Sequence, residues 1–466
     1  MKPVLDWLAK NHEQLVSDLA ALVAVPSIST DGQHAKELEQ SAGLVKQQME
    51  RAGLHNVEIL REGDSYPYVY GEWLGAPGKP TVFLYAHHDV QPINYAAQWE
   101  SEPWTLTRRG GRLYGRGAAD DKGAITAQLG SVAAFLQTTG ALPVNVKMLV
   151  EGEEEVGSRT LMGFLKKYKH KLRSDVIVVT DTENLETGLP SITYSLRGIV
   201  ALRVEVEALK RPVHSGMGGG LLPDAAIALS ALVGRLAWDG RKLPIKGFYE
   251  AVRPLTPRER SALKALPLDE EKLRRDMALL PGIDFAVIKG VNPYEQTWRW
   301  PAVTVIAQEA SSIANASNQV LPRAAAIVSC RIVPDQKPEE VSRQLAEFLT
   351  KDPPWGVKVK VTPHGKPVSW WMTDPAGPAF AAAMAALEAG YKKKPVAIGC
   401  GGSIGFVGPL AELFGGAPAL LLGIEDPKSN AHAPNESLHE GDFRKLMASL
   451  VHLYAQLGEL PGGRVK

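Results

Sequence analysis

Thr81-Val82-Phe83-Leu84-Tyr85-Ala86-His87-His88-Asp89-Val90 decides how the chain is read. Its first six residues, mostly apolar or β-branched, predict a buried strand. The run then stops at three ionisable side chains, which are costly at the end of a buried strand without a partner. In an open α/β sheet, ligands bind outside the carboxyl ends of the strands. A metal ion would give His87, His88 and Asp89 that partner; an ordinary hydrogen-bonded loop is the competing reading.

Working outward, other strand ends carry similar residues. Val144, Val146, Met148 and Val150 alternate as in a strand, and Glu151-Gly152-Glu153-Glu154-Glu155 closes it. Val176–Val179 runs into Thr180-Asp181, and Ala419–Leu422 leads to a loop holding His432. Asp120 sits in a Gly-rich loop where an Ala-rich helix starts. In a doubly wound sheet these ends converge on one rim. Two imidazoles with several carboxylates form an N/O ligand set suited to zinc or manganese, large enough for two ions sharing a carboxylate.

Upstream, Leu15, Leu19, Leu22 and Val23 keep helical spacing, and a second helix is expected from about His34 to Ala52, stopped by Gly53. The middle of the chain reads differently. Strands near Val200–Val206, Val303–Ala307, Ala325–Val333 and Val357–Val361, with helices near Asp224–Leu236 and Pro338–Leu349, predict a small α+β unit inserted into the larger one. The expected division is 1–197 with 370–466, and 198–369. The Pro-rich, charged stretch up to Gly282 yields no further elements.

The 466 residues call for two or three domains, and 45% apolar content is ample for their cores. A net charge of +1 gives no basic face for nucleic acid. Cys330 and Cys400 are too few for a disulfide framework, and both are expected to be inert. No stretch is apolar for long enough to span a bilayer, and the start lacks the apolar run of a signal peptide. A cytoplasmic protein is expected. His12, His34, His55, His170, His439 and His452 are expected to be solvated, as is Glu153. Trp370 and Trp371 are expected to pack the junction between the two units.

His87-His88-Asp89-Val90-Gln91-Pro92, Gly115-Arg116-Gly117-Ala118-Ala119-Asp120-Asp121-Lys122-Gly123 and Glu151-Gly152-Glu153-Glu154-Glu155-Val156-Gly157-Ser158, followed by Asp181, His214-Ser215-Gly216, Gly401-Gly402-Ser403 and Ala431-His432, resemble the M20 family of metallopeptidases. Within it they are most similar to the carnosinase-like dipeptidases. The resemblance implies an α/β, doubly wound zinc-peptidase domain with an inserted α+β, ferredoxin-like lid that also dimerises. It implies two Zn2+, with Mn2+ or Co2+ as substitutes, held by His87 and Asp181 on one side, by Glu155 and His432 on the other, and bridged by Asp120. The H-x-D spacing gives the ligand role to His87 over His88. A cis Asp120–Asp121 peptide is implied as well. Asp89 would orient His87, and Glu154 would be the general base for a metal-bridging hydroxide. His214 would stabilise the oxyanion, from the partner subunit in dimeric members. Arg331 would bind the substrate's C-terminal carboxylate, with Asn318, His364 and Ser403 near the substrate. The implied reaction is hydrolysis of dipeptides or short peptides with a free carboxylate by a homodimer, without nucleic acid or membrane partners. An N-acyl-amino-acid deacylase using the same site is the first alternative; a non-catalytic, metal-bound peptide-binding protein is the remote one.

Overall fold

A computed structural model describes residues 1–236 and 242–460. Residues 237–241 and 461–466, which fall within the expected ranges of the two units, lie outside the described residues.

Three helices (Lys2–Lys10, His12–Val23 and Ala35–Ala52) open the chain. Gly53 ends the third in the left-handed region at φ 96°, where a side chain would be strained. Strands β1 (His55–Leu60), β2 (Tyr68–Trp73), β3 (Thr81–His87), β4 (Thr107–Arg109) and β5 (Arg112–Tyr114) follow, then the helix Lys122–Thr139. Next come β6 (Asn145–Glu151), β7 (Val176–Glu183) and β8 (Ser191–Leu196). The middle region supplies β9 (Gly198–Glu207), β10 (Val213–His214), β11 (Ala302–Glu309), β12 (Gln319–Val320), β13 (Arg323–Ile332) and β14 (Lys358–Pro363). The chain closes with β15 (Trp371–Met372), β16 (Val396–Cys400), β17 (Ala419–Glu425) and β18 (Ser437–His439), ahead of the helix Glu440–Glu459.

The large mixed sheet runs β1-β2-β6-β3-β7-β17-β8-β15, with β16 on β8. Its centre is parallel: β3 lies between β6 and β7, and β17 pairs with β7. Parallel strands need helices on both faces, and these strands are buried along almost their whole length. One face packs under Lys122–Thr139, Pro378–Tyr391 and Glu440–Glu459; the other packs under Leu161–Lys167 and Val407–Leu413. The chain leaves β3 for β6 on one side and then returns to β7 on the other. This reversal opens a crevice at the strands' carboxyl ends.

The second sheet is antiparallel throughout, in the order β11-β13-β9-β14. Residues of β9 alternate between buried and half-buried, as one covered face requires. Helices Ala225–Gly234 and Pro338–Thr350 cover that face and close a separate core. Two β-α-β passes in this order make a ferredoxin-like plait.

The chain crosses between the sheets twice, and the crossings lie side by side. Ile199 and Val368 exchange backbone hydrogen bonds at 2.9 and 2.8 Å. A Cβ on Gly198 would come 2.4 Å from the Val368 carbonyl oxygen, so only glycine fits between them. Trp370 packs on the plait's core and Trp371 on the large sheet's.

The Pro-rich stretch is not featureless. It holds the helices Pro257–Ala265 and Glu270–Asp276, and Pro293–Arg299 follows it. These are short, so local devices hold them: a Thr256/Glu259 capping box, and an Arg299–Glu259 ion pair across the first and third. Such helices have little periodicity to read. Among the described residues no helix is long and apolar enough to cross a membrane.

Candidate metal centre and substrate cavity

The crevice holds the ionisable groups expected from the strand ends. His87 ends β3, with Nε2 3.0 Å from Asp120 Oδ1 and 3.9 Å from Asp181 Oδ1. His432 lies in the loop after β17, with Nε2 2.8 Å from Asp120 Oδ2 and 3.2 Å from Glu155 Oε2. Asp120 therefore turns one oxygen to each imidazole. The atoms form two triads, His87/Asp120/Asp181 and Asp120/Glu155/His432, each compact enough to share one ion. The Asp120–Asp121 peptide is cis.

The electrostatics call for positive charge at the centre. Burial opposes ionisation of Asp120, but His432 and His87 beside it hold its carboxyl well below the usual range. Its hydrogen bond to Asp120 pulls His432 up to about 11. Burial pushes Glu154 up to about 8, with the Glu155, Asp89 and Asp120 charges adding to it. Four carboxylates face two imidazoles, and a divalent ion in each triad would offset that excess. The donors are nitrogens and oxygens without thiolate, which fits zinc, manganese or cobalt.

His88 does not compete for this centre. It is fully buried, its Nε2 is bonded to the Pro67 carbonyl at 3.0 Å, and burial lowers its pKa to about 4. Asp89 does more than face one ring. Its Oδ1 lies 3.4 Å from His87 Nδ1, and that nitrogen is closer, 3.0 Å, to the Asp89 carbonyl.

Two expectations of solvent exposure are corrected. Glu153 is fully buried, and its Oε1 accepts from the Tyr68 hydroxyl at 3.0 Å and the Thr160 N–H at 2.6 Å. His12 is also buried, with Nε2 2.7 Å from Glu440 Oε1. Both partners are distant in sequence or on another element, so neither pairing shows in the local pattern. The two thiols behave as expected of inert cysteines: burial lifts Cys330 to about 12 and Cys400 to about 11.

Sequence reasoning missed Glu436. It is fully buried, and it accepts from the Arg116 guanidinium at 2.6 Å and from the N–H groups of Gly117, Ala119 and Asp120 at 3.0, 3.0 and 3.1 Å. One carboxylate thus fixes the backbone of the loop that presents Asp120. A glutamate whose partners are mostly backbone donors leaves no mark in residue spacing.

A cavity of about 950 Å3 opens over the centre. Asp120, Glu154, Asp181 and His432 line it, as do Arg331 and Ser403. Arg331 leaves the end of β13, and its Nη1 donates to Ser403 Oγ at 2.8 Å. The Pro-rich stretch and the segment after it supply another wall through residues between Asp269 and Trp298. His214, Asn318 and His364 do not line this cavity; all three are exposed on the plait side. His214 and Asn318 are neighbours there, since the Ser215 N–H donates to the Asn318 carbonyl at 2.9 Å.

The sequence model of peptidase family M20/M25/M40 matches residues 83–456. The cysteinylglycine-S-conjugate dipeptidase of Corynebacterium striatum is 32% identical over 437 residues, 92% of each chain. The Beta-Ala-His dipeptidase of Homo sapiens is 28% identical over 482 residues, covering 98% of this chain and 93% of its own. Among solved structures, the dipeptidase Dug1p from Saccharomyces cerevisiae superposes with a TM-score of 0.87 at 25% identity, covering 99% of both chains. Human carnosine dipeptidase 1 gives 0.87 at 26%, covering 98% of this chain and 99% of its own.

Proposed function

The chain belongs to peptidase family M20/M25/M40, and on that premise we propose that it is a di-zinc dipeptidase for substrates with a free C-terminal carboxylate. The observation that carries this reading is that one cavity holds both the Asp120-centred ligand cluster and the Arg331–Ser403 pair. A guanidinium fork suits a carboxylate, and a peptide held there would share the cavity with the ligand cluster.

His87 and Asp181 would hold one ion, Glu155 and His432 the other, with Asp120 between them; Mn2+ or Co2+ would also suit the donors. When bound, such ions supply Lewis acidity and a water acidified towards neutrality. Glu154 then takes a proton on a carboxylate oxygen and passes it to the leaving amine. Its backbone is tethered for this, because its N–H donates to Asp89 Oδ1 at 3.1 Å. Glu183 and Glu425 line the same cavity and make no ion pair with a cation among the described residues. Burial and neighbouring carboxylates push both acids up, and such groups favour the arrival of a cation such as a free amino group.

The proposed division is a catalytic unit of residues 1–197 and 370–466 and an inserted lid of residues 198–369. The lid is also the proposed dimer contact. Its outer strand β11 has an edge with no strand partner among the described residues; Ile306 on it is 59% exposed, and Ile313 beyond it is 96% exposed. Such edges and apolar patches invite a second copy. A partner would cover that patch and bring its own His214 towards the cavity, where it would stabilise the oxyanion; Asn318 and His364 would approach the substrate by the same route.

The test is a panel of dipeptides against N-acetyl and N-succinyl amino acids, each with zinc, manganese or cobalt. Dipeptide hydrolysis that is lost on chelation and restored by metal is expected. Turnover of acyl amino acids alone would move the chain to the deacylase reading. No metal-dependent turnover would leave a peptide-binding protein.

A further inference from the structure

A second guanidinium lies against Gly401, in the cavity wall next to Ser403. Arg197, in the link between β8 and β9, is only 9% exposed. Its Nε donates to the Gly401 carbonyl at 3.0 Å and its Nη1 to the Trp300 carbonyl at 3.4 Å. Gly401 presses against it: a Cβ there would lie 2.9 Å from Arg197 Nη2. Gly401, Gly402 and Ser403 line the cavity beside Arg331.

Among the described residues neither Arg197 nor Arg331 makes an ion pair with a carboxylate; their side-chain partners are two carbonyls and one hydroxyl. Burial and then the Arg331 charge lower Arg197 to about 10, and burial lowers Arg331 as well. The Arg331 charge disfavours the Arg197 cation, and burying either guanidinium without an anion is unfavourable. An arrangement of this kind is relieved when an anion enters.

We propose that Arg197 is a positioning residue for the carboxylate end of the substrate. It places a second positive charge behind Arg331. Through the Gly401 carbonyl it also holds the loop that sets Ser403 against Arg331. The inference rests on the dipeptidase reading, in which the arriving anion is a peptide's C-terminal carboxylate. A merely structural Arg197, clipping Trp300 to Gly401, would cost stability and affect all substrates alike.

The experiment measures kcat and KM for a dipeptide and for its C-terminal amide in wild type, Arg197→Gln, Arg197→Lys and Arg331→Ala. Arg197→Gln should raise KM for the dipeptide roughly tenfold, from the loss of a charge interaction, and several-fold less for the amide. Arg197→Lys keeps the charge and should recover most of the dipeptide KM. Equal rises on both substrates, or no rise on either, overturn the proposal. Should Arg197→Gln not fold, Arg197→Lys decides. A dipeptide preference near wild type supports the role, and one as weak as that of Arg331→Ala overturns it. If Arg331→Ala itself loses equally on both substrates, the carboxylate reading falls and takes this inference with it. Selective loss in Arg331→Ala beside unselective loss in Arg197→Gln sinks this inference alone.

Discussion

Asp89 accepts the backbone N–H of Glu154 on Oδ1 at 3.1 Å. Its other oxygen accepts the Glu155 N–H at 3.0 Å and the Ser29 hydroxyl at 2.6 Å. One buried carboxylate thereby joins the end of β3 to the turn that carries both the proposed base and a proposed ligand. Asp89→Asn leaves a single acceptor oxygen for three donors. We expect metal affinity or turnover to fall about 10- to 100-fold, as for other residues that orient ligands. Zinc titration alongside kcat checks this, and unchanged values would reduce Asp89 to a turn cap.

Glu154→Gln separates chemistry from binding. The side chain joins neither ligand triad. Metal content should stay at about two ions per chain, while turnover falls by at least the roughly 10²–10⁴-fold that a general base contributes. Metal analysis of the purified variant decides: if the ions leave with the activity, Glu154 is a ligand.

Asp120 belongs to both triads and Asp181 to one. Removing Asp120 leaves two dications unscreened from each other, so Asp120→Ala should empty both sites together. Asp181→Ala should weaken one. Competitive titration with a zinc chelator distinguishes the two patterns, and one tightly held ion in Asp120→Ala would count against the bridge.

Glu436→Gln tests the loop beneath the bridge. The amide has one acceptor oxygen where the carboxylate spread four donors over two, and Arg116 loses its charge partner. Breaking a buried pair costs about 3–5 kcal/mol. The melting temperature should drop, and metal affinity should drop beyond what that destabilisation explains. A lower melting point with wild-type metal affinity would make Glu436 a staple of the fold only.

The strand ends were legible because a run such as Val176–Val179 is apolar enough to announce burial, and the polar residue that ends it then stands out. The plait was legible for a related reason, since β9 alternates along its whole length. What sequence could not give was pairing at a distance. His12 looks like any polar helix residue until Glu440 is placed beside it, and Glu153 like any acid until Tyr68 and Thr160 are. Arg197 takes its partners from residues 300 and 401, so nothing near it hints at a role. The wall formed between Asp269 and Trp298 was missed because its helices are short and held by caps and ion pairs rather than by an apolar stripe.

The triad completed by His432 draws on a residue that follows every other ligand and almost every strand. During synthesis, a growing chain emerges from the ribosome with His87, Asp120, Glu155 and Asp181 already made and this histidine still missing. For that interval the acidic groups have one imidazole instead of two, and the second triad lacks its nitrogen donor. On the proposed two-ion reading, loading of a matched pair would therefore be a late event in the life of each molecule, and the nascent form would be the one most open to capture of a single, wrong cation.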